Sequence, residues 1–215
     1  MSGILVVDVG GNNVKIRHSG SAEKRKAPSG PAMTPSEMVE KVCRLAADWS
    51  FDRISVGCPG PVANDRPLIE PVNLGKGWVN FDFAAAFGKP TRVINDAAMQ
   101  ALGSYEGGKM LFLGLGTGLG ACLVVDGTVL PLEVAHLPYR GKFTFEDCVG
   151  TRGLVRMKQA RWEKAVHDTV ARLKAALVAD YVILGGGNTK KLKKLPKASR
   201  RGSNDNAFAG GFRLW

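Results

Sequence analysis

Two segments constrain this chain more than any others, because each has the form strand, glycine turn, returning strand. Ile4-Leu5-Val6-Val7 is a short apolar run that ends on the carboxylate of Asp8. Gly10 and Gly11 follow, then the alternating Val14-Lys15-Ile16-Arg17, so a hairpin is predicted with Asp8 at its mouth. The device recurs where Met110–Leu115 and Ala121–Val125 flank Gly116-Thr117-Gly118-Leu119-Gly120. A glycine turn lets backbone N–H groups approach an anion closely, since no Cβ stands in the way. Two such turns in one chain predict a nucleotide or polyphosphate gripped from two sides.

Between and after these turns the pattern alternates helix with strand. Thr34-Pro35-Ser36-Glu37 reads as a helix start, and Met38, Val42, Leu45 and Trp49 form one apolar face behind it. Arg53–Gly57 is a predicted strand, as is Thr91–Ile94, while Glu23–Ala27 reads as a ragged one. Asn80 is the expected cap of a short helix, 81–87, that stops at Gly88. Asn95 and Asp96 fall at the carboxyl end of a strand, where ligands of α/β sheets bind, and a helix follows over 97–105. Further helices are predicted over 145–157 and 161–179, with a strand at Tyr181–Leu184 running into Gly185-Gly186-Gly187-Asn188. This order predicts two α/β lobes, residues 1–95 and 96–215, with the tail returning to the first.

The length of 215 residues, 45% hydrophobic and 23% charged, suits a globule with a real core. A net charge of +11 favours anionic partners without choosing among them. Cys43, Cys58, Cys122 and Cys148 form no close pair and read as buried reduced thiols. No apolar run reaches the roughly 20 residues of a membrane span, and the first residues do not read as a signal peptide. The expectation is a cytoplasmic protein with no membrane partner.

The set Asp8-x-Gly10-Gly11-x-x-x-Lys15, Cys58-Pro59-Gly60-Pro61-Val62, Asn95-Asp96-Ala97, Leu115–Gly120, Glu133-x-x-His136 and Gly185-Gly186-Gly187 resembles the sugar kinases of the ROK family, in order and over essentially the whole chain. Within the family it looks most like the polyphosphate glucokinase branch. The resemblance implies a two-lobed actin-like ATPase (ribonuclease H-like) fold with mixed sheets and a cleft between lobes. It implies transfer of a phosphoryl group from polyphosphate or ATP to a hexose, glucose above all, with Mg²⁺ as cofactor. A homodimer is expected, and no DNA partner. The cysteine-rich zinc motif of many ROK proteins has no counterpart around Cys148, so no structural zinc is expected.

Residue by residue, the resemblance makes Asp96 the general base. Asn73, Asn95, Glu133, His136 and Glu146, with Asp96, become sugar contacts. Gly10, Gly11, Asn12, Asn13, Lys15, Gly116, Thr117, Gly118, Gly186 and Gly187 take the phosphates, and Asp8 holds Mg²⁺ through water. The blander alternatives are an ordinary turn aspartate for Asp8, a helix cap for Asp96, and a structural hydrogen bond or surface pair for Glu133 with His136. The basic run from Lys190 to Arg201 reads either as a solvated face or as a track for a long phosphate chain. Two positions depart from the family pattern. Asn12 stands where threonine is usual, and Ala135 replaces a glycine, which carries a cost if that backbone has positive φ. A sugar-binding relative without chemistry, and a kinase for another hexose or an amino sugar, are the competing readings.

Overall fold

The computed structural model describes residues 3–203 and 205–215. The chain divides into two compact units, Met1–Gly103 with Ala207–Trp215, and Ser104–Asn206.

The first unit is built on β1 (Ile4–Val9), β2 (Asn13–His18) and β3 (Lys24–Pro28), followed by helix α1 (Pro35–Leu45) and strand β4 (Arg53–Cys58). A small hairpin of β5 (Val62–Ala63) and β6 (Arg66–Pro67) leads to α2 (Phe83–Phe87), β7 (Thr91–Asn95) and α3 (Asp96–Ser104). The main sheet has the order β3-β2-β1-β4-β7. β1 is antiparallel to β2, with Asp8 opposite Lys15, and parallel to β4, with Asp8 opposite Gly57. β3 is a regular edge strand, not a ragged one; its Lys24 and Lys26 are exposed, which blunts the edge against further pairing.

Local chemistry explains the helix ends. Thr34 caps α1 in a reciprocal box with Glu37, and Met38, Val39 and Val42 turn inward. Cys43 lies on the outer side of that helix and is exposed, unlike the other three cysteines and contrary to the expectation for all four. α2 is capped by Asp82, whose carboxylate accepts the Ala85 N–H at 3.0 Å. Asn80, the expected cap, sits two residues too early, with φ 58° and its own N–H bonded to the Pro67 carbonyl. The core joins Leu5, Val7, Ile16, Met38, Ile54 and Val56 to the fully buried Trp78 and to Phe83.

The second unit repeats the plan with β8 (Lys109–Leu115), β9 (Leu119–Val125) and β10 (Thr128–Leu132). Asp126 and Gly127, at φ 49° and 75°, make the tight turn between the last two. A 3₁₀ turn at Val134–His136 precedes the hairpin of β11 (Pro138–Arg140) and β12 (Phe143–Thr144). The helix expected over 145–157 is broken at Gly150 into α4 (Phe145–Val149) and the start of α5 (Thr151–Ala176). α5 is itself interrupted at Lys158, where φ is 60°. β13 (Tyr181–Gly185) runs parallel to β8, and β14 (Ser199–Arg201) lies beside it. The sheet order is β10-β9-β8-β13-β14, and Leu111, Leu113, Trp162, Val166, Val170 and Leu184 fill the core. β14 escapes a sequence reading because its three residues carry no apolar pattern.

α6 (Asn206–Phe212) brings the chain back to the first unit. Ala207 and Phe208 pack with Val6 and Met99. The buried Ser55 hydroxyl donates to the Gly211 carbonyl at 2.6 Å and accepts from the Trp215 indole at 3.0 Å, so a polar side chain inside the sheet is fully used. Among the described residues, no helix is long and apolar enough to cross a membrane.

Candidate active site

In the first unit, the glycine turn after β1 is closed by the Gly10 N–H on the Asn13 carbonyl, at 3.0 Å. The Ser29 hydroxyl donates to the Gly10 carbonyl at 2.5 Å, tying the turn to the loop after β3. Gly11 needs to be glycine because a Cβ there would stand 2.9 Å from the Asn73 Cβ. Asn12 is exposed at the tip. Asp8 is largely buried and pairs with the Lys15 ammonium at 3.2 Å across the hairpin. Lys15 therefore neutralises Asp8 at the mouth of the turn.

Asn95 and Asp96 stand at the junction of β7 and α3. The Asn95 Oδ1 accepts the Ala98 N–H at 3.0 Å, and its Nδ2 donates to the Gly60 carbonyl at 3.0 Å. Both ends of that amide are thereby engaged, one as the cap of α3 and the other as a tie to the Cys58-Pro59-Gly60 turn. The Asp96 carboxylate accepts the adjacent Ala97 N–H, at 2.9 Å. Burial, and to a smaller degree the charge of Asp8, push its pKa up to about 6.

Asp96 lines a cavity of about 280 Å³ together with Gly10, Gly11, Gly60 and Asn73, and with an apolar wall that includes Ile69 and Leu74. Glu70, which sequence reasoning passed over, holds that wall in shape. Its two carboxylate oxygens accept the N–H groups of Gly77 and Trp78 at 3.0 and 3.1 Å, clasping the loop that carries Asn73. These backbone bonds, with Trp78 foremost, keep Glu70 below the usual carboxylate range. Lone acids inside loops carry no spacing signal, so nothing in the sequence marks it.

The second unit organises its turn differently. The Gly116 carbonyl collects the Thr151 N–H at 3.1 Å, the Thr151 hydroxyl at 3.0 Å and the Asn188 amide at 2.8 Å. Glu146 accepts the Leu119 N–H at 3.3 Å, and a Cβ at Gly118 would collide with its carboxylate. Gly186, at φ 81°, lies against the Leu115 backbone, where a Cβ would clash. Gly116 and Gly187 face open space and Thr117 is exposed, so the outer side of this turn is free for a ligand. Thus Gly116, Thr117, Gly118, Gly186, Gly187 and Glu146 are brought together, and Thr151 and Asn188 join them. Thr151 had no sequence signal, because its partner Gly116 is distant in the chain.

Glu133 precedes the 3₁₀ turn and His136 is its last residue, both exposed and without a hydrogen-bond partner among the described residues. Ala135 is buried within that turn and is not among the residues with positive φ, so its Cβ carries no backbone penalty. In the basic stretch, Lys190, Lys191, Lys193, Lys194 and Lys197 are exposed, while Arg200 pairs with Glu106 and Arg201 donates to the Leu192 carbonyl. Lys193 and Lys194 edge a groove shared with Lys164 and His167 of α5.

The ROK family model matches residues 4–131, which take in the first unit up to Gly103, without its C-terminal segment, and the second glycine turn. The chain belongs to the ROK family, and with its relatives it is a sugar kinase, a phosphotransferase with an alcohol acceptor. It is 25% identical over 214 residues to a polyphosphate glucokinase of Mycobacterium tuberculosis, covering 87% of this chain and 78% of that one. The inorganic polyphosphate/ATP-glucomannokinase of Arthrobacter sp. strain KM has the same fold, at TM-score 0.82 and 22% identity, over 100% of this chain and 98% of that one. A ROK family glucokinase from Streptomyces griseus, solved with glucose and AMPPNP, superposes at TM-score 0.75 and 16% identity, over 99% of both chains. The fold is thus the mixed α/β, actin-like ATPase fold of these kinases.

Proposed function

We propose that this kinase phosphorylates a hexose, glucose first, using polyphosphate, ATP or both. The observation that carries the reading is the position of Asp96: a carboxylate released from capping by Asn95, lining a cavity beside the first glycine turn. An acid held near pH 6 is ionised at neutral pH yet basic enough to take a hydroxyl proton. In the proposed reaction, the sugar hydroxyl oxygen attacks the terminal phosphorus of the donor. Asp96 accepts the hydroxyl proton, and the bond from phosphorus to the leaving phosphate oxygen breaks. Catalysis is otherwise positioning and charge stabilisation.

On the acceptor side the reading assigns Asn73, Glu133, His136 and Glu146 to sugar hydroxyls, with Asn95 orienting Asp96 from the adjacent position. On the donor side it assigns Gly10, Gly11, Asn12, Asn13, Lys15, Gly116, Thr117, Gly118, Gly186 and Gly187 to phosphate oxygens. Mg²⁺ would supply charge neutralisation on the transferred group. Asp8 offers a single carboxylate at the turn, and the Lys15 ammonium 3.2 Å from it would give way to the water shell of such an ion. Mg²⁺ keeps most of its waters and takes one or two carboxylates, so Asp8 would hold it through water.

Polyphosphate use is supported by the five exposed lysines between 190 and 197, which follow the Gly185–Gly187 turn directly. The test pairs a panel of hexoses with polyphosphate and with ATP, in Mg²⁺. Turnover should fall about 10²–10⁴-fold in Asp96→Asn with folding intact. Replacing the five lysines with glutamine should raise the KM for polyphosphate and leave that for ATP. Near-wild-type turnover in Asp96→Asn would sink the assignment of the base, and unchanged polyphosphate use would remove the lysine track.

A further inference from the structure

Asp96 is the first residue of α3, so its place depends on how that helix is seated. Met99, one turn further on and fully buried, is held from two sides by glycines. On the sheet side, Gly57 of β4 leaves room for the Met99 thioether. A Cβ at Gly57 would stand 3.2 Å from the sulfur, closer still to the terminal methyl, and 3.5 Å from the Asp96 Cα. From a second direction, Gly210 of α6 rests on the α3 backbone. A Cβ there would lie 2.8 Å from the Met99 carbonyl carbon, closer to its oxygen, and 2.9 Å from the Gly103 nitrogen. The Arg213 guanidinium adds a bond to the Leu102 carbonyl at 2.6 Å.

The two contacts differ in kind. Met99 reaches Gly57 with the flexible end of a side chain, which can shift. Gly210 meets backbone, which cannot shift without moving the helix. We infer that Gly210, on a helix more than a hundred residues away in the chain, and Met99, within α3 itself, are positioning residues that set the depth of α3 and with it the reach of the Asp96 carboxylate. Gly211, next to Gly210, serves as the internal control. A Cβ there would collide only with the Val6 side chain and not with α3.

This inference rests on Asp96 being the base, which Asp96→Asn tests by itself. Gly210→Ala displaces α3, and an error of about 1 Å at a reacting group costs on the order of 10²-fold. The expected result is a fall in kcat of about 10–100-fold, with the KM for the hexose little changed and an altered acid limb in the pH profile of kcat. Gly211→Ala should lower the melting temperature comparably and leave kcat and the pH profile as in the parent. Where Gly210→Ala yields no folded protein, Met99→Ala and Met99→Leu make the same test: the alanine loses kcat and the leucine, of similar volume, restores it. A Gly210→Ala enzyme with parental kcat and pH profile overturns the proposal, as does equal loss of kcat in Gly211→Ala. For the second pair, equal kcat in the two Met99 variants overturns it.

Discussion

The Asn95 side chain accepts the Ala98 N–H at 3.0 Å, so the cap of α3 is the residue before Asp96 and not Asp96 itself. An aspartate at a strand–helix junction usually has that capping duty. Here the duty is carried one position earlier, and the carboxylate faces a cavity instead. Asn95→Ala should cost about 0.5–2 kcal/mol of stability from the lost cap, measurable by denaturant unfolding. Asn95→Asp keeps the capping oxygen but sets a second carboxylate beside Asp96. The acid limb of kcat should then move to higher pH, because like charges disfavour ionisation.

Asp96 also sets a pH dependence of stability with a definite sign. Its folded-state value of about 6 lies above the ordinary one, so between about pH 4 and 6 the native state holds the proton more tightly than the unfolded chain. Stability therefore falls as pH rises through that window and levels off above it. Asp96→Asn removes the buried charge. It should be close to neutral near pH 4 and stabilising by about 1–3 kcal/mol at pH 7, as read by calorimetry across the range.

At the second glycine turn, Gly118→Ala drives a methyl into the Glu146 carboxylate and breaks its bond to the Leu119 N–H. The variant should lose about 1–3 kcal/mol and bind the phosphoryl donor more weakly. Glu146→Ala in the same chain relieves the clash, so the two losses should fall short of additivity by at least about 0.5 kcal/mol. A double-mutant cycle measures it, and strict additivity would refute the contact.

Glu70 gathers the backbone of Gly77 and Trp78 and shapes the loop bearing Asn73. Glu70→Ala should raise the KM for the hexose several-fold while kcat stays nearly constant, the pattern of lost ground-state and transition-state binding together. Steady-state kinetics with the donor saturating decides this. A change confined to kcat would place Glu70 elsewhere in the reaction.

Local patterning makes much of this protein legible in its sequence. The two glycine turns, the Thr34 start of α1, the Gly88 stop of α2 and the carboxylate at the end of β7 each follow from neighbours within a few residues, where periodicity and backbone preference act. The cap of α2 is Asp82 and not the expected Asn80, because both are good caps and only the path of the chain chooses between them. Tertiary contacts alone decided the rest. Ser55 meets Gly211, Gly116 meets Asn188, and Gly210 seats α3, all across separations that no local pattern encodes. The residues proposed for the chemistry were named by the family resemblance and by their places at strand ends and glycine turns. Which of Asn95 and Asp96 caps the helix, and what holds α3 in place, depend on packing between distant segments, and only the folded chain brings those together.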